Sequence, residues 1–370
     1  MKFTCQKNEL VQAIQNVSKA VASKPQMPIL SGIYLKAKEG QLELQATDYE
    51  IGMICHIQAD VSVPGAIVLS GRYLQEVTRR LPGETVNFAY DHEANIAKIN
   101  SNAANFTLLS LSAREFPVIQ HLTGNLDFQI RNNVLQEIVK KTVFACSNDE
   151  ARPVFTGCQL EVHDAGMTMA ATNTHRLAVK QELLDENIGN IKVIIPSKVL
   201  NELLRIIASE IPTNVHVISS YNQISFEYEG IYLTSRLIEG QFPDYHRVIP
   251  SAFATKVTLD TADFLSAVDR VSLISRAGDY NIIRLEFTEG QVRISSNNPE
   301  IGQAEEIVPA SVDGPEVNIA FNAKYVTDVL KNLDSKSFLF SLNQSLQPAA
   351  IREENDDTFT YVVTPVRTNH

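Results

Sequence analysis

The chain has 370 residues with a formal net charge of −11, and 44% of its residues are hydrophobic while 20% are charged. This length exceeds one ordinary hydrophobic core, and the composition is that of a globular protein without a membrane span. The negative charge argues against a protein that coats nucleic acid with its whole surface, although it is compatible with a basic patch on one face. The first residues carry no apolar signal core, so we expect a cytoplasmic protein with no membrane partner.

The four cysteines and eight histidines show no metal-ligand spacing. Cys5, Cys55, Cys146 and Cys158 form no CxxC pair, which favours small buried apolar residues over ligands. We therefore predict no disulfide, no metal and no cofactor.

In chain order, the first third predicts a strand, an amphipathic helix, a hairpin, another strand, a second helix and further strands. These elements cover residues 1–5, 7–21, 32–54, 66–69, 70–81 and 85–111. The remainder predicts helices at residues 132–147, 197–209, 261–276 and 322–333, and a last strand at residues 358–366.

The same series of elements occurs three times. Residues 32–54, 157–179 and 282–304 align without gaps, and each predicts a hairpin with its turn at Glu39-Gly40, Ala165-Gly166 or Glu289-Gly290. We predict an α+β fold of three repeated domains at residues 1–123, 124–250 and 251–370, each with helices on one face of an antiparallel sheet.

The predicted helices are more basic than the rest of the chain. Together they carry a net charge of +6, which leaves −17 for the sheets and loops. One explanation is that Lys and Arg are good helix formers on any solvated face, and the other is a segregated basic surface. If the helices lined a closed ring at ~10 Å spacing, six of them would enclose a hole only about 8 Å in diameter. Twelve helices from two chains would leave a hole of roughly 27 Å, enough for a DNA duplex of about 20 Å.

Several motifs at fixed positions resemble one family over essentially the whole chain, the bacterial sliding clamps, which are the beta subunits of DNA polymerase III. The motifs are Met1-Lys2-Phe3-Thr4, Asp48-Tyr49-Glu50, Thr172-Asn173-Thr174-His175-Arg176-Leu177-Ala178, Phe242-Pro243-Asp244-Tyr245, Asn298-Pro299-Glu300 and Tyr361-Val362-Val363-Thr364-Pro365-Val366-Arg367.

The resemblance implies three DNA-clamp domains in a head-to-tail homodimeric ring, with helices lining the inside and antiparallel sheets outside. It implies a non-catalytic processivity factor in DNA replication that encircles duplex DNA without reading its sequence. The implied partners are a second copy of the chain, a clamp loader, the DNA polymerase III alpha subunit and other proteins that carry clamp-binding motifs.

The resemblance also implies three sets of site residues. A partner-peptide groove between the second and third domains would use Phe155, Thr172, His175, Arg176, Leu177, Pro243, Val248, Val362, Val363, Pro365, Val366 and Arg367. DNA-facing residues would be Lys24, Arg72, Arg79, Arg152, Lys198, Arg247 and Tyr280. The dimer interface would join Phe106 and Leu108 of one subunit to Leu273, Ile274, Glu305, Glu306 and Ile307 of another.

The residues themselves leave two alternative functions open. An enzyme would have to use Asp244 with His246, or Thr172 with His175, and neither pair has a third orienting group or oxyanion donors. A triplicated protein-interaction scaffold that does not encircle DNA would agree with the net negative charge.

Overall fold

The computed structural model describes residues 1–124, 126–184, 186–276 and 281–367. Two compact units make up the chain: residues 1–133 with 201–237, and residues 134–200 with 238–370. Every helix in the described ranges is too short or too polar to cross a membrane.

The described residues form six α-helices and an extensive set of strands. The helices are α1 (Lys7–Val17), α2 (Gly71–Arg80), α3 (Asn132–Lys140), α4 (Ser197–Ile206), α5 (Thr261–Ser275) and α6 (Ala323–Leu330). The strands are β1 (Lys2–Gln6), β2 (Gly32–Lys38), β3 (Gln41–Thr47), β4 (Ile51–Gln58), β5 (Asp60–Val63), β6 (Gly65–Ser70), β7 (Thr85–Asp91), β8 (Ile96–Ser101), β9 (Ala104–Leu111), β10 (Leu126–Arg131), β11 (Gly157–His163), β12 (Gly166–Thr172), β13 (Arg176–Leu183), β14 (Ile191–Pro196), β15 (Asn214–Ser219), β16 (Gln223–Tyr228), β17 (Ile231–Arg236), β18 (Thr255–Asp260), β19 (Ile282–Thr288), β20 (Gln291–Asn298), β21 (Gly302–Pro309), β22 (Ser311–Asp313), β23 (Val317–Asn322), β24 (Ser337–Leu342), β25 (Ala349–Glu353) and β26 (Phe359–Val363).

All six predicted helices are confirmed, but α3 ends seven residues before its predicted end at residue 147. The hydroxyl of Thr142 donates to the carbonyl of Ile138 at 2.7 Å, and residues Val143–Ala145 form a 3-10 turn instead. Thr142 stands at φ −124° and ψ −43°, so the chain has left the helical conformation by this residue.

The three predicted hairpins are confirmed as β2–β3, β11–β12 and β19–β20, and one predicted turn was wrong by one residue. His163 pairs with Gly166, so the second turn is Asp164-Ala165 rather than Ala165-Gly166. Asp164 takes the left-handed conformation at φ 56°, which Asp tolerates better than most residues. The glycine therefore stands in the strand and not in the turn.

The first unit contains one 13-stranded sheet in the order β10-β15-β16-β17-β4-β3-β2-β6-β9-β8-β7-β1-β5. Helix α1 packs on β3 and β4 and buries Leu10, Ile14 and Val17 in the core beneath them. Strand β17 pairs with β4, with Leu233 opposite Met53. The sheet therefore runs without a break from the first repeat into part of the second.

The second unit contains a nine-stranded sheet in the order β14-β11-β12-β13-β26-β25-β24-β18-β22 and a four-stranded sheet in the order β21-β20-β19-β23. Its core includes Phe264, Phe287, Phe321, Phe338 and Phe340, whose ring centroids lie 5.6 to 6.5 Å apart. Strands β11–β14 of the central repeat and β26 of the last repeat share the larger sheet. The compact units therefore do not follow the predicted repeat boundaries.

Candidate functional site

An apolar groove of about 660 Å³ lies in the second unit, beside the start of β13 and the end of β26. Most of the residues that were predicted to form a partner groove line it: Phe155, Thr172, His175, Arg176, Leu177, Pro243, Val248 and Val362. Sequence reasoning missed other lining residues, among them Tyr245, Ile249, Pro250, Gln347, Pro348 and Thr364.

The floor of the groove follows from the pairing of β13 with β26. Leu177 lies directly opposite Val362 in this antiparallel pair, so both side chains point to the same face of the sheet. They belong to a buried cluster with Phe242 and Tyr245, and Val248, which also lines the groove, is 53% exposed. Burial raises the pKa of Tyr245 to about 12, further above physiological pH than the usual tyrosine value. The floor is therefore apolar and uncharged.

A hydrogen-bonded turn between β12 and β13 forms one wall of the groove. The hydroxyl of Thr172 donates to the carbonyl of Arg176 at 2.7 Å, and the amide oxygen of Asn173 accepts from the N–H groups of His175 and Arg176 at 3.0 and 3.1 Å. Thr174 closes the turn in the left-handed conformation at φ 77°. These bonds fix the directions in which the side chains of His175 and Arg176 leave the chain.

Arg176 is buried although it lines the groove, with 6% of its surface exposed. Its Nη1 donates to Oδ2 of Asp328 at 2.7 Å, and its Nη2 donates to the carbonyl of Phe144. Its guanidinium lies 4.7 Å from the ring centroid of Tyr325. Within the described residues its Nε finds no hydrogen-bond partner. A buried donor without a partner is unusual in a folded protein.

Four residues that were predicted to form the groove do not line it: Val363, Pro365, Val366 and Arg367. Side chains alternate along β26, so Val363 points away from Val362 into the core and is fully buried. Val366 is held at β23 instead, because its backbone N–H donates to the carbonyl of Ala320 at 2.8 Å. Thr364 lines the groove instead, where its N–H and hydroxyl donate to the carbonyl of His175 at 2.9 and 3.0 Å.

The first unit contains the same turn one repeat earlier. The hydroxyl of Thr47 donates to the carbonyl of Ile51 at 2.9 Å, and Tyr49 takes the left-handed position at φ 74°. Here, however, Gly52 stands where the second repeat has Leu177. A Cβ at Gly52 would lie 2.9 Å from Cγ2 of Thr234 and 3.0 Å from Cδ1 of Ile119, so both side chains pack directly on this glycine. The equivalent position is thus filled by the protein's own chain.

Three family models match the chain in succession: the N-terminal domain of the DNA polymerase III beta subunit over residues 1–120, its central domain over 129–244 and its C-terminal domain over 246–367. The chain belongs to the DNA polymerase III beta subunit family. The family resemblance seen in the sequence is therefore confirmed. The predicted fold class, three clamp domains with antiparallel sheets, is confirmed as well.

Individual relatives of this family match the chain over its full length. It is 34% identical to the beta sliding clamp of Bacillus subtilis strain 168, over 100% of both chains. The crystal structure of the DNA polymerase sliding clamp from Bacillus subtilis matches with a TM-score of 0.94, over 100% of both chains. The sliding clamp of Pseudomonas aeruginosa bound to griselimycin is 29% identical and matches with a TM-score of 0.93, also over 100% of both chains.

The residues predicted to face DNA are exposed wherever the structure describes them. Arg72 and Arg79 lie on α2, Lys198 lies at the start of α4, and Lys24 lies in a loop. Arg152 pairs with Asp149 at 3.0 Å. Arg247 pairs with Asp244 at 2.8 Å and also lines the groove. Tyr280 lies outside the described residues.

The residues predicted for the dimer interface lie at two strand edges and on one helix. Among the described strands, residues 104–109 of β9 pair only with β8, and Phe106 on this stretch is 36% exposed. Leu108 on the same stretch is half-buried.

The other edge is β21, the terminal strand of the four-stranded sheet, which carries Glu305, Glu306 and the exposed Ile307. Leu273 is exposed and Ile274 half-buried on α5, which packs on β21. Glu306 is ion-paired with Arg270 of α5 within its own chain, and the hydrogen bond from Arg270 holds the pKa of Glu306 below its usual range.

Proposed function

We propose that this protein is a sliding clamp that encircles duplex DNA as a head-to-tail homodimer and tethers the replicative DNA polymerase. The observation that carries the proposal is the full-length match to sliding clamps, through all three domains and with a TM-score of 0.94. The domain boundaries at 123/124 and 250/251 are part of the proposal.

The tethering function is supported by the groove of the second unit. Its floor of Leu177, Val362 and Tyr245 is apolar, and Arg176 and Thr172 supply polar groups at its wall. A mostly apolar cleft with a few fixed polar groups suits a short extended peptide with apolar side chains. The partners would be the polymerase alpha subunit, the clamp loader and other proteins that carry such a peptide.

Ring closure is supported by two strand edges that have no partner among the described strands and by the charge of the helices. The open side of residues 104–109 of β9 and the edge strand β21 allow one subunit to add its strand to the sheet of the next, which removes both exposed edges. Twelve helices from two chains would leave room for a duplex, and their basic excess would tolerate phosphates without reading sequence. Such a ring would act in the cytoplasm.

A non-catalytic protein is favoured over an enzyme. The hydroxyl of Thr172 is engaged by the carbonyl of Arg176, so it is not directed at His175 as a nucleophile. Asp244 is paired with Arg247 rather than with His246. In the described ranges no group of three His, Cys, Asp or Glu side chains is arranged to hold a metal ion.

Light scattering tests the dimer. We expect a mass near twice 41.1 kDa at micromolar concentration. Ile307→Asp puts a charge on an apolar edge position and should weaken the dimer about 30-fold or more. Leu183→Asp, at another exposed strand residue of the same unit, is the matched control and should leave the mass unchanged. A monomer at every concentration would refute the proposed ring.

A further inference from the structure

Two cysteine thiols of the second unit touch each other. Sγ of Cys146 lies 3.5 Å from Sγ of Cys158, which is van der Waals contact, and both cysteines are reduced. A disulfide would require the two sulfurs to approach to about 2.05 Å, a movement of roughly 1.5 Å. The other two cysteines, Cys5 and Cys55, are both buried in the first unit.

The two thiols differ in their access to solvent. Cys158 lies on β11 and is fully buried, and this burial raises its pKa well above the usual range. Cys146 follows the 3-10 turn Val143–Ala145 and is only partly buried. An oxidant from solvent therefore meets Cys146 first, and Cys158 is the thiol within reach of the product.

We propose that Cys146 and Cys158 form an oxidative modification site that closes to an intrachain disulfide in the presence of a peroxide. Hydrogen peroxide transfers one oxygen to the sulfur of Cys146, which gives a sulfenic acid and one water. The sulfur of Cys158 then attacks the sulfur of Cys146 and displaces the hydroxyl group, which leaves with the proton of Cys158 as a second water. The peroxide is reduced, the two thiols are oxidised, and a dithiol reductant reverses the reaction.

The cysteine pair is linked by short contacts to two residues that line the groove. The carbonyl of Phe144, two residues before Cys146, accepts a hydrogen bond from Nη2 of Arg176. The N–H of Ser147, immediately after Cys146, donates to the carbonyl of Phe155 at 2.8 Å. When Cys146 is drawn toward Cys158, we expect this short segment to move with it, which shifts Arg176 and Phe155 and weakens peptide binding. This consequence rests on the proposed peptide-binding function, whereas the disulfide itself does not.

The site is tested first by mass. The folded full-length protein is treated with a small excess of hydrogen peroxide, quenched, and analysed by intact mass and by peptide mapping without reduction. We expect the loss of two hydrogen atoms and a crosslinked pair of peptides that contain Cys146 and Cys158. Cys146→Ser should abolish the crosslink, whereas Cys5→Ala should retain it. A folded protein that gains oxygen atoms but forms no bond between these two cysteines would overturn the proposal.

The effect on the groove is tested with a fluorescein-labelled peptide from the clamp-binding motif of a polymerase alpha subunit. Oxidation should weaken binding about tenfold, the change that accompanies loss of one hydrogen bond from a charged donor, and dithiothreitol should restore it. The same treatment should leave the affinity of Cys146→Ser unchanged. Equal affinities for the reduced and disulfide-linked protein would refute the coupling. If the reduced protein fails to bind the peptide, the proposed groove function is wrong, and the mass result still decides the modification site.

Discussion

At the residue scale, Arg176 connects the wall of the groove to the interior of the second unit. Its guanidinium is held by Asp328 and by the carbonyl of Phe144, and it stacks on Tyr325. The ring of Tyr325 also lies parallel to that of His175, at 6.3 Å between centroids. The ring of Tyr325 thus lies beside both Arg176 and His175 at the wall of the groove.

Replacing Arg176 should affect both stability and binding. Arg176→Ala leaves the half-buried Asp328 without its main partner, so the free energy of unfolding should fall by about 3 kcal/mol in a urea titration. Binding of a clamp-motif peptide should weaken at least tenfold. Arg205→Ala removes an exposed arginine paired with Glu202 and should change the free energy of unfolding by only about 0.5 kcal/mol. Similar losses in the two variants would contradict the assigned role of Arg176.

A second buried cation, Lys180, is surrounded by acidic groups. Its Nζ lies 3.1 Å from Asp356, 3.3 Å from Glu182 and 3.8 Å from Glu137, and it donates to the hydroxyl of Thr358 at 2.7 Å. Burial alone would raise the pKa of Asp356, but hydrogen bonds from Thr358 and Lys180 outweigh it, and the pKa is lowered. Burial raises the pKa of Glu137, although Lys141 and Lys180 oppose that shift.

This network predicts a loss of stability in acid. Because the pKa of Asp356 is lower in the folded than in the unfolded protein, its contribution is present above the unfolded value and disappears as pH falls through the folded value. Asp356→Asn should lower the free energy of unfolding at pH 7 by about 1–2 kcal/mol and should flatten its decline below about pH 4. Asp357→Asn, at the exposed neighbouring residue, should leave the pH profile unchanged. If the free energy of unfolding fell with pH in parallel for wild type and Asp356→Asn, Asp356 would not be the source of the acid sensitivity.

At the scale of elements, the same turn follows β3 in the first repeat and β12 in the second. The sequence predicts their equivalence, because Thr47 and Thr172 fall in register. The first repeat has Gly52 where the second has Leu177, and the side chains of Thr234 and Ile119 pack against that glycine. That packing depends on residues distant in sequence, and no local pattern predicts it.

The left-handed residue of the groove turn predicts a stabilising substitution. Thr174 is β-branched and stands at φ 77°, where non-glycine residues cost about 1–2 kcal/mol. Thr174→Gly removes that strain against a smaller entropic cost, so thermal unfolding should show a gain of about 0.5–1 kcal/mol. Thr174→Ala retains a Cβ and should show no such gain. A destabilised glycine variant would mean that the threonine side chain contributes contacts that outweigh the strain.

The helical spacing of apolar residues and their alternation along strands predicted the elements of the fold well. They predicted the directions of individual side chains less well. The helices and hairpins repeat at a fixed spacing, so their existence was evident. Helix α3 was predicted too long because the apolar pattern continues to Val143, whereas the backbone leaves the helical conformation at Thr142. The resemblance indicated the neighbourhood of the groove. It did not distinguish Val362 from Val363, because only the pairing of β26 with β13 and β25 fixes which face each side chain takes.

At the scale of the whole molecule, charge is distributed unevenly along the chain. The predicted helices carry a net +6 while the remainder carries −17. A protein of this net charge should bind duplex DNA weakly from solution, because most of its surface repels phosphates. Retention on DNA would then depend on topology rather than on contact affinity.

The most direct test of the sliding-clamp proposal is therefore retention on DNA of defined topology. The protein is loaded onto a nicked circular plasmid with a clamp loader and ATP, the complex is isolated by gel filtration, and the plasmid is then cut at one site. We predict that the protein stays with the circle through the column and is released after linearisation. Equal retention on circular and linear DNA, or no retention on either under loading conditions that succeed for a known clamp, would contradict encirclement and favour a scaffold that does not encircle DNA.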